Sequence, residues 1–99
     1  MPVQEEKIKQ ILAGLTKYKG VESVVLADDS GFPLSSTIDI NKAEIISALV
    51  TSLIGKVKSI LSELELSSLK VLVIKTEDRE ILVTPQEGAN LVVVRKINP

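Results

Sequence analysis

The spacing of apolar positions changes period several times along the chain, and each change marks an element. Ile8, Ile11, Leu12, Leu15 and Tyr18 recur at intervals of three and four, which predicts a helix over residues 3–18 with one apolar stripe. Glu5 and Glu6 near its start and Lys17 and Lys19 at its end suit the helix dipole, and Gly20 is a natural stop. Residues 21–27, VESVVLA, are β-branched and apolar and predict a strand. Asp28-Asp29-Ser30-Gly31 has the composition of a turn. Alternation resumes over residues 32–38, with Phe32, Leu34, Ser36 and Ile38 on one face, so the two runs form a hairpin. Pro33 donates no backbone hydrogen bond, which assigns the second strand to a sheet edge or places Pro33 at its start.

The longest periodic segment covers residues 42–64. Asp39 or Asn41 caps it, and Glu44 is expected in its first turn. Ile46, Val50, Leu53, Val57, Ile60 and Leu64 form the stripe expected to face the core. With Ile45, Leu49, Ile54 and Leu61 beside them, the apolar arc spans about half the circumference, wide for a helix resting on one surface. Opposite that stripe lie Ala48, Ser52, Gly55, Ser59 and Ser62, small and uncharged where a solvated helix normally carries Lys and Glu. Small side chains let a second helix approach closely, so this row predicts a contact with a copy of the helix or with a foreign one. Three strands follow, over 69–75, 80–84 and 90–96, with turns at Thr76–Arg79 and around Pro85–Gly88. Their short connections make an antiparallel meander. The unbroken run Leu91–Val94 predicts a central strand covered on both faces. Leu69, Val71 and Val73 line a strand that would invite pairing with a second copy if it lies at an edge. The order is α-β-β-α-β-β-β in a single domain over residues 1–99.

Composition narrows the chemistry. Apolar residues at 44% and charged residues at 25% describe a globular domain rather than a disordered chain. With no Cys and no His, there is no disulfide scaffold, no thiolate or imidazole metal site and no histidine general base. Net charge of −1 and aromatic content of 2% leave neither an electrostatic nor a stacking footprint for nucleic acid. The acidic start has no signal-peptide character, and no unbroken apolar run approaches the ~20 residues of a membrane span, so a cytoplasmic location is expected. Asp28-Asp29-Ser30-Gly31 lacks calcium-loop spacing and reads as a plain turn, and Glu77-Asp78-Arg79-Glu80 as a solvated one. Neither a P-loop nor a dinucleotide fingerprint occurs. Arg79 and Arg95 are the only arginines; Arg95 sits on the expected central strand, and Arg79 reads as a turn charge beside Glu77 and Glu80 rather than as an arginine finger. No catalytic, cofactor-binding or metal residue is assigned.

Gly20-Val21-Glu22-Ser23-Val24-Val25-Leu26, running into Asp29-Ser30-Gly31-Phe32-Pro33-Leu34 and Ser36-Thr37-Ile38-Asp39, resembles the Roadblock/LC7 family over essentially the whole chain. The compact form, typified by dynein roadblock-type light chains and small prokaryotic relatives, is the most similar. The resemblance implies a profilin-like or longin-like sandwich: one antiparallel five-stranded sheet with helices on both faces. It also implies a homodimer in which the third strand and the long helix pair with their copies, and a scaffold or regulator of Ras-like small GTPases, or a structural subunit of a larger complex. The matching positions are the strand carrying Leu69, Val71 and Val73 and the helix carrying Ala48, Ser52, Gly55, Ser59 and Ser62. Longer members have a further C-terminal helix without a counterpart after Ile97-Asn98-Pro99, so contacts made through it are not carried over.

Overall fold

The computed structural model describes Gln10, Gly14 and residues 17–97. Five strands, β1 (Val21–Asp28), β2 (Pro33–Ser36), β3 (Leu72–Lys75), β4 (Arg79–Gln86) and β5 (Ala89–Lys96), and one helix, α1 (Ile40–Glu63), account for most of them. The sheet is ordered β2-β1-β5-β4-β3 with every neighbouring pair antiparallel. β5 is central, as its unbroken apolar run predicts. Of the helix expected over 3–18, Gln10 and Gly14 are described and are helical, Lys17 and Tyr18 are exposed where the chain turns toward β1, and the rest lies outside the described residues.

Local chemistry explains the first hairpin. Asp28 Oδ1 accepts hydrogen bonds from the Ser30 and Phe32 amides, both at 2.9 Å. Gly31 follows with φ of +91°, a conformation L side chains rarely adopt. A Cβ there would also stand 3.4 Å from the Ala48 Cα, so the turn and the α1 contact both favour glycine. Pro33 opens β2, and β2 is an edge.

α1 starts at Ile40, earlier than expected, because Asp39 and not Asn41 is the cap: its carboxylate accepts the Lys42 amide at 3.3 Å. Glu44 consequently falls beyond the first turn. At the other end the Leu66 amide donates to the Leu61 carbonyl at 2.9 Å and the Glu65 amide to that of Ser62 at 3.0 Å. This is a Schellman closure with Glu65, at φ of +56°, where glycine is usual.

The sheet register sets the core. Val25, Val92, Val83 and Leu72 oppose one another in a single row across β1, β5, β4 and β3. Val25, Val83 and Val92 form one buried cluster with Ile54 of α1, and Ile38, Val50, Leu69, Leu72 and Ile81 pack around it. Another row, Lys75, Glu80 and Arg95, has the alternate parity and so belongs to the opposite face. Glu80 is buried there, accepting from Arg95 Nε at 2.6 Å with Lys75 Nζ at 3.7 Å. Glu80 is therefore not part of a solvated turn, because two flanking cations compensate its burial. Arg79 is likewise the first residue of β4, held by Glu22 at 2.6 Å and Asp78 at 2.8 Å.

Several strand boundaries differ from expectation: β2 ends at Ser36 rather than Ile38, and β3 and β4 differ more. β3 begins at Leu72 rather than Leu69, and its pairing with β4 extends only to Val83. Beyond Val83, β4 is itself an edge, so it continues through Pro85, paired with Asn90, and the turn shrinks to Glu87-Gly88.

Two substitutions test this account. Glu65→Gly should relieve the left-handed strain and stabilise the fold by about 1 kcal/mol in urea unfolding. Ser47 is fully buried on α1 with its hydroxyl unpaired. Ser47→Ala should therefore be neutral or stabilising by about 1 kcal/mol, where removal of a bonded serine would destabilise.

Candidate interaction surface

The rotation of α1 about its axis decides what the chain offers to others. Ala43, Ser47 and Ile54 are buried against the sheet, with Val50, Val57 and Leu61 half-buried along the same line. This line is turned by about 60° from the expected core stripe, taking 3.6 residues per turn. The expected stripe is corrected accordingly: Val50 and Val57 belong to the packed face, whereas Ile60 and Leu64 are 56% and 62% exposed. Ile45 and Leu49, with Leu53 at the margin, join them in an uncovered row of bulky aliphatics. The physical reason is close packing. Gly31 lies against Ala48 and Thr51, and the sheet meets the helix through its smallest residues, which allow the nearest approach.

Ala48, Ser52, Gly55, Ser59 and Ser62 are all exposed. The contact of Gly31 with Ala48 and Thr51 identifies the flank of α1 that faces the β1–β2 hairpin. The small row occupies that flank and the outward crest, and the bulky row occupies the opposite flank. The hairpin carries β2, one sheet edge, and β3 is the other edge. The structure therefore places the small row toward the hairpin and the crest, and the bulky row on the other side of the helix. Of the three residues expected on the third strand, only Val73 is in β3. Leu69 packs against the core, and Val71 is exposed just before the strand. Val73, Val71 and the nearby Leu66 are exposed, and the outer side of β3 has no strand partner among the described residues.

The bulky row was missed as a surface because periodicity reports bulk, and here bulk and burial part company. By length and apolar composition α1 even suffices to cross a membrane, which a count of unbroken runs hides. One face of it is nonetheless committed to the sheet. An open groove of about 540 Å³ under the end of α1 is lined by Lys58, Leu61, Leu66, Leu69 and Pro85. No cluster of His, Cys, Asp or Glu capable of holding a metal occurs among the described residues.

The Roadblock/LC7 domain family model matches residues 7–95. The chain belongs to the Roadblock/LC7 family. The fold agrees. A Roadblock/LC7 domain from Streptomyces avermitilis is 20% identical, with 88% of this chain and 76% of that one covered, at a TM-score of 0.81. The gliding protein MglB of Thermus thermophilus is 19% identical, covering 93% and 73%, at 0.81. MglB of Myxococcus xanthus is 17% identical, covering 93% and 71%, at 0.84. Identities this low speak for the shared fold, and the family's five-stranded antiparallel sheet with the long helix across it is what this chain has.

If the bulky flank is an interface of this Roadblock/LC7 domain, Leu49→Lys should abolish self-association measured by light scattering while leaving the circular dichroism of the monomer intact. A purely solvated flank would give the same mass for both proteins.

Proposed function

We propose that this chain is a non-enzymatic adaptor or regulator that pairs with its own copy and, as a dimer, binds a Ras-like small GTPase. The observation that carries the reading is the uncovered bulky flank of α1. Leu49, Ile60 and Leu64 are each more than half exposed, and apolar surface gathered in this way marks an interface. β3, an edge without a strand partner among the described residues, supplies backbone groups for a second strand. An MglB with a tetrameric arrangement belongs to the same fold, which supports self-assembly as a use of it.

With the bulky flank taken up by the copy, the small row Ala48, Ser52, Gly55, Ser59 and Ser62 stays open as the surface offered to the GTPase. A row without long side chains loses little rotamer entropy on contact and admits a close partner. Catalytic help through an arginine is disfavoured, since Arg79 is tied by Glu22 and Asp78 and Arg95 by Glu80. Any effect on nucleotide turnover would then come from preferring one conformation of the partner's switch segments.

Light scattering over a wide concentration range should give a stable mass near twice 10.7 kDa. A monomer throughout would remove the paired platform. Titration of small GTPases loaded with GDP or a GTP analogue should show at least about a ten-fold preference for one state in a regulator. Equal affinities would favour the structural-subunit reading instead. Gly55→Glu should leave the mass doubled and weaken GTPase binding.

A further inference from the structure

We propose that two copies of α1 pair antiparallel in one register, with the midpoint between Ser52 and Leu53, fixed at both ends by an ion pair between Lys42 of one protomer and Glu63 of the other. The proposal rests on the self-pairing argued above and adds its geometry.

The bulky flank is not uniformly apolar. Lys42, Lys56 and Glu63 lie on it together with Ile45, Leu49 and Ile60, and all six fall within an arc of about 60° on a regular helix. The remaining charges of α1, Glu44 and Lys58, lie toward the hairpin flank. In an antiparallel pair centred between Ser52 and Leu53, Lys42 stands opposite Glu63 of the partner subunit. Ile45 opposes Ile60 of the partner subunit, and Leu49 lies along the aliphatic stem of Lys56 of the partner subunit. Every charge on the flank is then either paired or free to extend its head to solvent over an apolar neighbour.

Neighbouring registers are penalised. Sliding the copy one heptad in one direction sets Lys42 against Lys56 of the partner subunit. Sliding it one heptad in the other sets Lys56 against its own counterpart. Both shifts keep the same flank in contact but juxtapose like charges, so charge selects among registers that apolar burial alone leaves nearly equal. A parallel pair at equal height puts Lys42 on Lys42 and Glu63 on Glu63, which the same argument disfavours.

The test is a charge swap in the full chain, with the dimer dissociation constant read by sedimentation at low and high salt. Lys42→Glu alone and Glu63→Lys alone should each weaken the dimer about ten-fold at low salt, since two symmetry-related attractions become repulsions. The double variant Lys42→Glu/Glu63→Lys should return to within about three-fold of the parent, and high salt should shrink all the differences. Neither single change should harm the monomer, because acid near the start of a helix and base near its end both suit its dipole.

The chain has no cysteine, so introduced ones report position cleanly. Ile45→Cys/Ile60→Cys should form interprotomer disulfides under mild oxidation, and either single variant should not. Single reversals without effect in a protein that still dimerises, or cross-linking by Ile45→Cys alone, would overturn the register while leaving the dimer standing. A monomeric parent chain would overturn the self-pairing beneath it.

Discussion

The contact between the small face of α1 and the sheet is the constraint on which the rest depends. A helix of 24 residues is held with only Ala43, Ser47 and Ile54 fully buried. Ile54 reaches into the row of valines laid across β1, β5 and β4, with Val50 packed against it. Ala43 and Ser47 add little apolar area, but they permit the backbone of α1 to come near the sheet. Gly31 completes the fit from the hairpin, where an added Cβ would press on Ala48. The helix cannot roll to bury Leu49 or Ile60 without pushing these small contacts apart. Its rotation, and with it the identity of the exposed flank, is set by steric closeness rather than by total apolar area.

This arrangement ties stability to association. A chain of 99 residues buries a modest fraction of its surface, and here some of its largest aliphatics are not among the buried ones. Ile45, Leu49, Ile60, Leu64 and Leu66 contribute to the folded state chiefly if something covers them. A partner that covered this flank and bound only the folded chain would stabilise it by mass action, linking folding to assembly. The ends of β1, β4 and β5 do not share this dependence: they are closed by their own hydrogen bonds and by the ladder of Lys75, Glu80 and Arg95.

The architecture was legible in the sequence wherever local chemistry dictated it. Asp28 to Gly31 announced a turn that Asp28 then caps, Pro33 announced an edge, and Leu91 to Val94 announced the centre of the sheet. The orientation of α1 was not legible, because apolar residues cover about half of it and pattern alone ranks bulk above smallness. The start of β3 was missed for a related reason. Leu69 and Val71 continue the strand-like pattern, yet Leu69 is drawn into the core and pairing with β4 begins only at Leu72. Glu80 was read as solvated since its partners, Lys75 and Arg95, come from other strands and only the register brings them together. The candidate surface was legible only in part: the exposure of the small row agrees with its pattern, whereas the exposure of the bulky row could not be read from it.

That row also limits how the chain can act on a partner. Both arginines are engaged in ion pairs, Arg79 with Glu22 and Asp78 and Arg95 with Glu80. What it has is shape: two uncharged rows of different height on one helix, one of exposed bulky aliphatics and one of small residues toward the crest. A rigid surface of this kind changes a partner's behaviour only through a difference in affinity between the partner's states. If the proposed GTPase is the partner, the fit of the small row to one conformation of its switch segments is the quantity that would separate a regulator from a scaffold, and it would depend on the same close packing that fixes the rotation of α1.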